Sequence, residues 1–166
     1  FDGVRYGNRE TGHTSSEMME LTRANGFGPE VKKRILLGTY ALSAGYYDAY
    51  YGQALKARAM MRKEFNDIYK DIDYLISPTT PSDPFKLGEK SDNQLEMYMS
   101  DLCTIPANLV GMPAISIPTG LSSKGLPLSV QIMSPINTDN TLLDFSQTIE
   151  ALVSFTDKPL INGAVT

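Results

Sequence analysis

The feature that most constrains this chain is a change of period. From Glu30 to Tyr69 the sequence reads almost without interruption as helix, and from Asp73 onward it breaks into short apolar runs punctuated by proline and glycine. A long helical block followed by strand-length runs excludes a pure bundle and an all-β sandwich, and predicts an α/β layer with helices covering a sheet. The helical block carries glycines at 38, 45 and 52, each costing about 1 kcal/mol in a helix interior relative to alanine. A break is therefore predicted. Ser43 is the expected cap for the restart, its hydroxyl accepting the N–H of Gly45 or Tyr46, which gives two helices over 29–42 and 44–69. Upstream, residues 1–13 read as loop with a short extended piece at "GVRY". "TSSEMMELTRANGFG" opens a helix capped by Ser15 or Ser16 and ended by a left-handed Gly26. Pro29 then occupies a first helical turn, where its missing N–H costs nothing.

"DYLISPTT", "AISIP" and "LPLSVQIM" are predicted strands, the last two joined through the glycine- and serine-containing "TGLSSKG". "LEMYMSDLCTIPANLVG" reads as one to three helical turns followed by an irregular stretch. The amphipathic "TDNTLLDFSQTIEALVSF" closes the pattern, capped by Thr138 or Asp139 and burying Leu142, Phe145, Ile149, Leu152 and Val153. In "LSAGYYDAYYGQ", Tyr47, Tyr51 and Leu55 share one helical face and Tyr46, Tyr50 and Ala57 another, so this stretch is expected to be buried wall. Asp48 is an expected acceptor for a tyrosine hydroxyl. Beyond Gly52 a single apolar stripe remains: Leu55, Met61, Phe65 and Ile68.

The chain has 166 residues, 42% hydrophobic and 20% charged, with net charge −4, which is the composition of one globular domain. Fifteen basic residues scattered among nineteen acidic ones form no stripe for phosphate backbones. One cysteine, Cys103, excludes an internal disulfide and agrees with a reducing compartment, so cytoplasm is expected. No apolar run is long enough for a bilayer. The chain starts on Phe1, without an initiator methionine, and reads as cut from something longer. Chemistry carried unaided is scarce. His13 is the one histidine and has no suitable partner for nucleophilic catalysis. Cys103 sits in an apolar turn without a neighbouring cation. No Cys/His set has metal-ligand spacing and no glycine-rich phosphate loop is present.

"FDGVRYG", "GFGPEVKKRILLGTYALSAGYYDAYYGQALKAR", "SPTTP", "LGEK" and "MYMSDLCTIPANLVGMPAISIPTG" together resemble the C-terminal part of the A subunits of glutamyl-tRNA(Gln)/aspartyl-tRNA(Asn) amidotransferases, a branch of the amidase-signature family. The resemblance implies a mixed β-sheet wrapped by helices, with residues 1–166 forming the C-terminal part of a single amidase domain. It implies glutamine hydrolysis to glutamate and ammonia, the ammonia passing to a partner subunit that amidates glutamate or aspartate on tRNA using ATP and magnesium. It further implies B- and C-type partner subunits, tRNA contacted mainly through the partner, and no cofactor in this chain. The family's two serines, lysine and glycine/serine-rich oxyanion loop precede Phe1 in the family order, so no catalytic residue is assigned and the chain alone is expected to be inactive. Two residues carry over by motif position. Arg34 in "EVKKRILLG" would hold the α-carboxylate of glutamine, and Asp101 in "MYMSD" its α-ammonium. Thr79 and Thr80 are secondary pocket-lining candidates.

Val110, Met112, Ala114 and Thr119 stand where the family pattern is closer to "NLAGLPGISVPCG", and Ser129 stands where glycine is usual. These are small changes in packed strands, which put the tightness of the pocket in question and leave the fold intact. Two other readings stay open: a different amidase-signature hydrolase of small amides, and a noncatalytic interaction module.

Overall fold

A computed structural model describes residues 3–90 and 93–157. Phe1 and Asp2 of the expected N-terminal loop lie outside the described residues. The chain divides at Lys56/Ala57 into two compact units.

The first unit begins with non-regular residues leading into α1 (Ser15–Gly26). The cap is Thr14 rather than Ser15 or Ser16: its Oγ1 accepts from the Glu17 N–H at 3.2 Å, and Glu17 returns a carboxylate oxygen to the His13 N–H at 2.7 Å. This reciprocal box wins because it satisfies two free N–H groups at once. Gly26 is the last helical residue and not a left-handed terminator; Phe27 follows with φ −99°. α2 (Pro29–Ala41) has Pro29 in its first turn, as predicted. The break that the glycines require falls at Gly45, whose φ of +88° is costly for any side-chain-bearing residue. Ser43 does not cap the restart through its hydroxyl. Its Oγ donates to the Tyr40 carbonyl at 2.7 Å, and its own carbonyl accepts the N–H groups of Tyr46 and Tyr47. The chain resumes as a π-helical turn, Tyr47–Gly52, and only then as α3 (Gln53–Ile68). Such widened turns are rare and shift the face that a helix presents.

The expected buried tyrosine wall does not form. Tyr40, Tyr46, Tyr47, Tyr50 and Tyr51 remain 38–58% exposed, and α2 buries no residue. The rings pack on one another instead. Tyr40 and Tyr46 lie 4.3 Å apart between centroids, and Tyr47 and Tyr51 5.0 Å. A hydrogen bond with Tyr46 raises the Tyr40 hydroxyl above its ordinary pKa. Asp48, the expected acceptor, is exposed in the first π turn.

The second unit contains the sheet. β1 (Leu75–Pro78), β2 (Ala114–Leu121) and β3 (Pro127–Met133) pair antiparallel in the order β1-β3-β2. With helices on it, this is the predicted α/β architecture, here contributing a three-stranded antiparallel segment. Between β1 and β2 the expected helical stretch forms two short helices, α4 (Gln94–Met99) and α5 (Ile105–Val110). α5 ends at Gly111, which adopts φ +83° at the cap.

Alternation along the strands sorts two faces. On one face Ile132 is fully buried between Ile76 and Ile115. With Ile117 and Leu142 of α6 (Asp139–Val153) it makes one core cluster, flanked by Phe145 and Ile149. Tyr74 locks α6 down by stacking on Phe145 at 4.0 Å and donating to the Thr141 carbonyl. Leu142 is buried and Phe145 and Ile149 pack half-buried against it, on the predicted face, whereas Leu152 in the last turn is 76% exposed. Thr138 occupies the cap position, but its hydroxyl donates to Ser134 Oγ and the Pro135 carbonyl rather than capping. The Ser146 hydroxyl, on the buried side of α6, has no hydrogen-bond partner.

The other face is divided along its length. Leu75 and Met133 join Ala107, Val110 and Met112 in a second cluster, against which Met61, Phe65 and Tyr69 pack. Met61 and Phe65 are the predicted stripe; Ile68 remains 44% exposed. The Tyr69 hydroxyl is buried without a partner, and burial pushes its pKa up to about 12. Arg58 Nε donates to the Leu109 carbonyl at 2.6 Å, tying α3 to the end of α5.

Candidate functional site

One step along from Leu75 and Met133, the same sheet face turns polar. The pairing register aligns Ser77, Gln131 and Ser116 in a row across the three strands. Alternation places Thr79 on that face as well, and its Oγ1 lies 3.0 Å from Ser116 Oγ. Gln131 is 4% exposed in the middle strand. Its Nε2 donates to the Cys103 carbonyl at 2.9 Å and contacts Ser77 Oγ at 3.3 Å. A pocket of about 310 Å³ opens over this row, lined by Thr79, Thr104, Asn108, Ser116 and Gln131 with apolar Met112 among its walls. Its size and mixed lining suit a small polar molecule. Thr80 is not among the lining residues; its hydroxyl closes a turn onto the Ser82 carbonyl.

Asp101 lies in the turn between α4 and α5, beside this wall. Its carbonyl accepts from the N–H groups of Thr104 at 3.0 Å and Ile105 at 3.1 Å, and from Thr104 Oγ1 at 3.1 Å. The main chain therefore performs the helix-linking job, and the side chain is left exposed. Among the described residues no cation pairs with its carboxylate. The turn is held from its α4 side by Lys90, whose Nζ sits 4.4 Å over the Phe85 ring and donates to Ser100 Oγ at 3.1 Å.

Arg34 belongs to the first unit. It lies on α2 one turn after Glu30, and its Nε donates to Glu30 Oε1 at 2.9 Å with the side chain 65% exposed. Of the two carried-over residues, one is thus an exposed guanidinium on a helix and the other an exposed carboxylate on a turn.

Sequence reasoning passed over Gln131, Ser116 and Ser77. A polar residue inside "LSVQIM", flanked by valine and isoleucine, is the signal that could have found Gln131, because a buried amide in a central strand requires partners. His13 borders a separate cavity of about 410 Å³ in the first unit, with Arg9, Glu10, Thr11, Thr14 and Ser15 among its lining residues. Cys103 is half-buried and enters the geometry through its carbonyl. Among the described residues no group of His, Cys, Asp and Glu is arranged to hold a metal ion, and no helix is long and apolar enough to cross a membrane.

Comparison with known proteins gives this wall a context. The amidase family model matches residues 2–143. The chain is 54% identical over 155 residues to the A subunit of glutamyl-tRNA(Gln) amidotransferase from Nocardia farcinica, covering 91% of this chain and 32% of the relative. It is 51% identical over 161 residues to the protein of the same name from Rhizorhabdus wittichii, with 96% and 32% covered. Among solved structures, the A subunit of glutamyl-tRNA(Gln) amidotransferase from Thermotoga maritima is 44% identical with a TM-score of 0.54, matching 75% of this chain and 27% of that one. The chain spans about a third of the length of the curated relatives it matches. With a family model covering most of its residues and near-half identity along almost its whole length, the chain belongs to the amidase family.

Proposed function

We propose that this chain is the C-terminal third of the glutamine-hydrolysing A subunit of a tRNA-dependent amidotransferase, and that it supplies the clamp for the free amino acid. The observation that carries this reading is the 54% identity over 91% of the chain to a protein named as that subunit. Glutamine presents an α-carboxylate and an α-ammonium at the end remote from its scissile amide. Arg34 offers a guanidinium fork for the first, and Asp101 an acceptor for the second, each through charge-assisted hydrogen bonds. Holding both groups fixes the carboxamide against a nucleophile supplied by the preceding part of the subunit, converting binding energy at the remote end into orientation at the reacting one. The ammonia released is then consumed by partner subunits, which activate the carboxylate of glutamate or aspartate on tRNA with ATP and magnesium. The residues of this chain bind and orient. They contribute no nucleophile or base, and the chain by itself releases no glutamate from glutamine.

The test uses the complete enzyme, with all its subunits, carrying Asp101→Asn. Loss of one charge-assisted contact of about 3 kcal/mol lowers kcat/KM for glutamate release about 100-fold. Glutaric acid monoamide, which lacks the α-ammonium, is used equally by the variant and the parent. A variant that keeps the parental kcat/KM for glutamine refutes the clamp.

A further inference from the structure

Asp101 sits between two helices of six residues each, which are too short to hold a geometry by themselves. The hydrogen bonds of the turn are local. Asp101 N–H donates to the Tyr98 carbonyl, Thr104 and Ile105 donate back to Asp101, and Asn108 Nδ2 donates to the Thr104 carbonyl at 2.9 Å. Local bonds fix the shape of a turn but not its place on the sheet. Below it, Gln131 reaches up from the middle strand, and its Nε2 meets the Cys103 carbonyl, two residues past Asp101, at 2.9 Å across 28 positions of sequence. Because a carbonyl can only accept, this partner fixes which way round the amide lies. The donor is 4% exposed, so water has little access to it, and a lost donor would leave the carbonyl of half-buried Cys103 without this partner. Ser77 Oγ, 3.3 Å from Nε2 on the neighbouring strand, holds the amide from the side, while Lys90 secures the opposite end of the turn at Ser100.

We propose that Gln131 is a positioning residue for substrate binding: it pins the α4–α5 turn to the sheet so that the Asp101 carboxylate stands where an α-ammonium group can reach it. The role rests on the glutamine-clamp reading above and adds to it a residue that does not touch the substrate. Without the pin, the turn keeps its local hydrogen bonds and Asp101 keeps its charge, but the carboxylate is no longer fixed. A displacement on the order of 1 Å is enough to cost a large factor in a positioned contact.

The experiment measures steady-state glutamine hydrolysis by the complete assembled enzyme carrying Gln131→Met, Asp101→Asn, or both. Methionine preserves length and volume and removes the amide. The expected result is a rise in KM for glutamine of about tenfold with kcat held within about twofold, and no further rise when Gln131→Met is added to Asp101→Asn. Loss of the buried bond lowers the melting temperature in either case; a merely structural glutamine would also lower kcat, and its effect would multiply with that of Asp101→Asn, and either of these two results overturns the proposal. If Gln131→Met does not fold, Ser77→Ala takes its place, with an expected rise in KM of about twofold from loss of the weaker lateral contact, and an unchanged KM overturning the role. If Asp101→Asn raises KM and Gln131→Met does not, the positioning role fails alone. If Asp101→Asn itself leaves kcat/KM for glutamine unchanged, the glutamine reading fails.

Discussion

Arg34 offers a separation of function from stability that the structure makes quantitative. Its side chain is 65% exposed, and its Nε pairs with Glu30 one turn earlier at 2.9 Å. An exposed i,i+4 pair of this kind contributes about 0.3–0.5 kcal/mol, and alanine is at least as good a helix former as arginine. Loss of this pair in Arg34→Ala is therefore expected to change folding stability by about 0.5 kcal/mol, a melting shift of about 3 °C. Its expected effect on glutamine use is far larger. A guanidinium donating two charge-assisted hydrogen bonds to a carboxylate accounts for about 3 kcal/mol, equivalent to about a 100-fold loss in kcat/KM. Arg34→Lys retains the charge without the fork and should recover only part of that loss. The assay is glutamate release by the complete enzyme over a range of glutamine concentrations, paired with thermal unfolding of the same preparations. If kcat/KM stays within about threefold of the parent, Arg34 is a solvated helix residue and the clamp argument fails. If activity and melting temperature fall together, the arginine is structural and the reasoning from its exposure is wrong.

Other expectations concern the second unit. Ile132→Ala removes a fully buried side chain from the middle strand and should cost about 3 kcal/mol in urea unfolding; a loss under about 1 kcal/mol would mean that the two-faced sheet does not carry the core. Tyr69, with its buried hydroxyl pushed up to about 12, should appear in an absorbance titration as a tyrosine ionising above the ordinary value of about 10. Since its folded pKa lies above the unfolded value, stability is unaffected by this group below about pH 10 and falls as pH rises from there toward about 12. Tyr69→Phe should remove that part of the alkaline slope, and an unchanged slope would show that the hydroxyl is not desolvated.

Much of the second unit was legible because strand alternation and core burial are recorded in the same residues. "DYLISPTT", "AISIP" and "LPLSVQIM" each carry the apolar pattern that the sheet uses, and Leu142, Phe145 and Ile149 keep the helical spacing that lays α6 on it. The first unit was harder to read for a physical reason. Gly45 fixes where the long helix must break, but the π-helical turn that follows is set by backbone geometry at Tyr47–Gly52, which leaves no periodic trace. The pairs assigned to common faces, Tyr46 with Tyr50 and Tyr47 with Tyr51, do lie together, but the aromatic character that argued for burial is expressed in ring-on-ring packing while the rings stay half-exposed. The caps miss by a single residue at Thr14 because several adjacent hydroxyls compete and the choice is made by the position of Glu17. For the site, Arg34 and Asp101 were singled out by motif position, and both side chains stay exposed. Gln131 was not found, because its significance lies in a bond across 28 positions to a backbone carbonyl, and no local pattern encodes such a pair.

The most direct test of the glutamine clamp is a crystal structure of the complete enzyme, its upstream nucleophile replaced, with glutamine bound. The account predicts the guanidinium of Arg34 about 2.8 Å from the α-carboxylate, the carboxylate of Asp101 at about the same distance from the α-ammonium, and Gln131 still bonded to the Cys103 carbonyl. A complex in which other side chains hold those two groups, with Arg34 and Asp101 left in solvent, would contradict it.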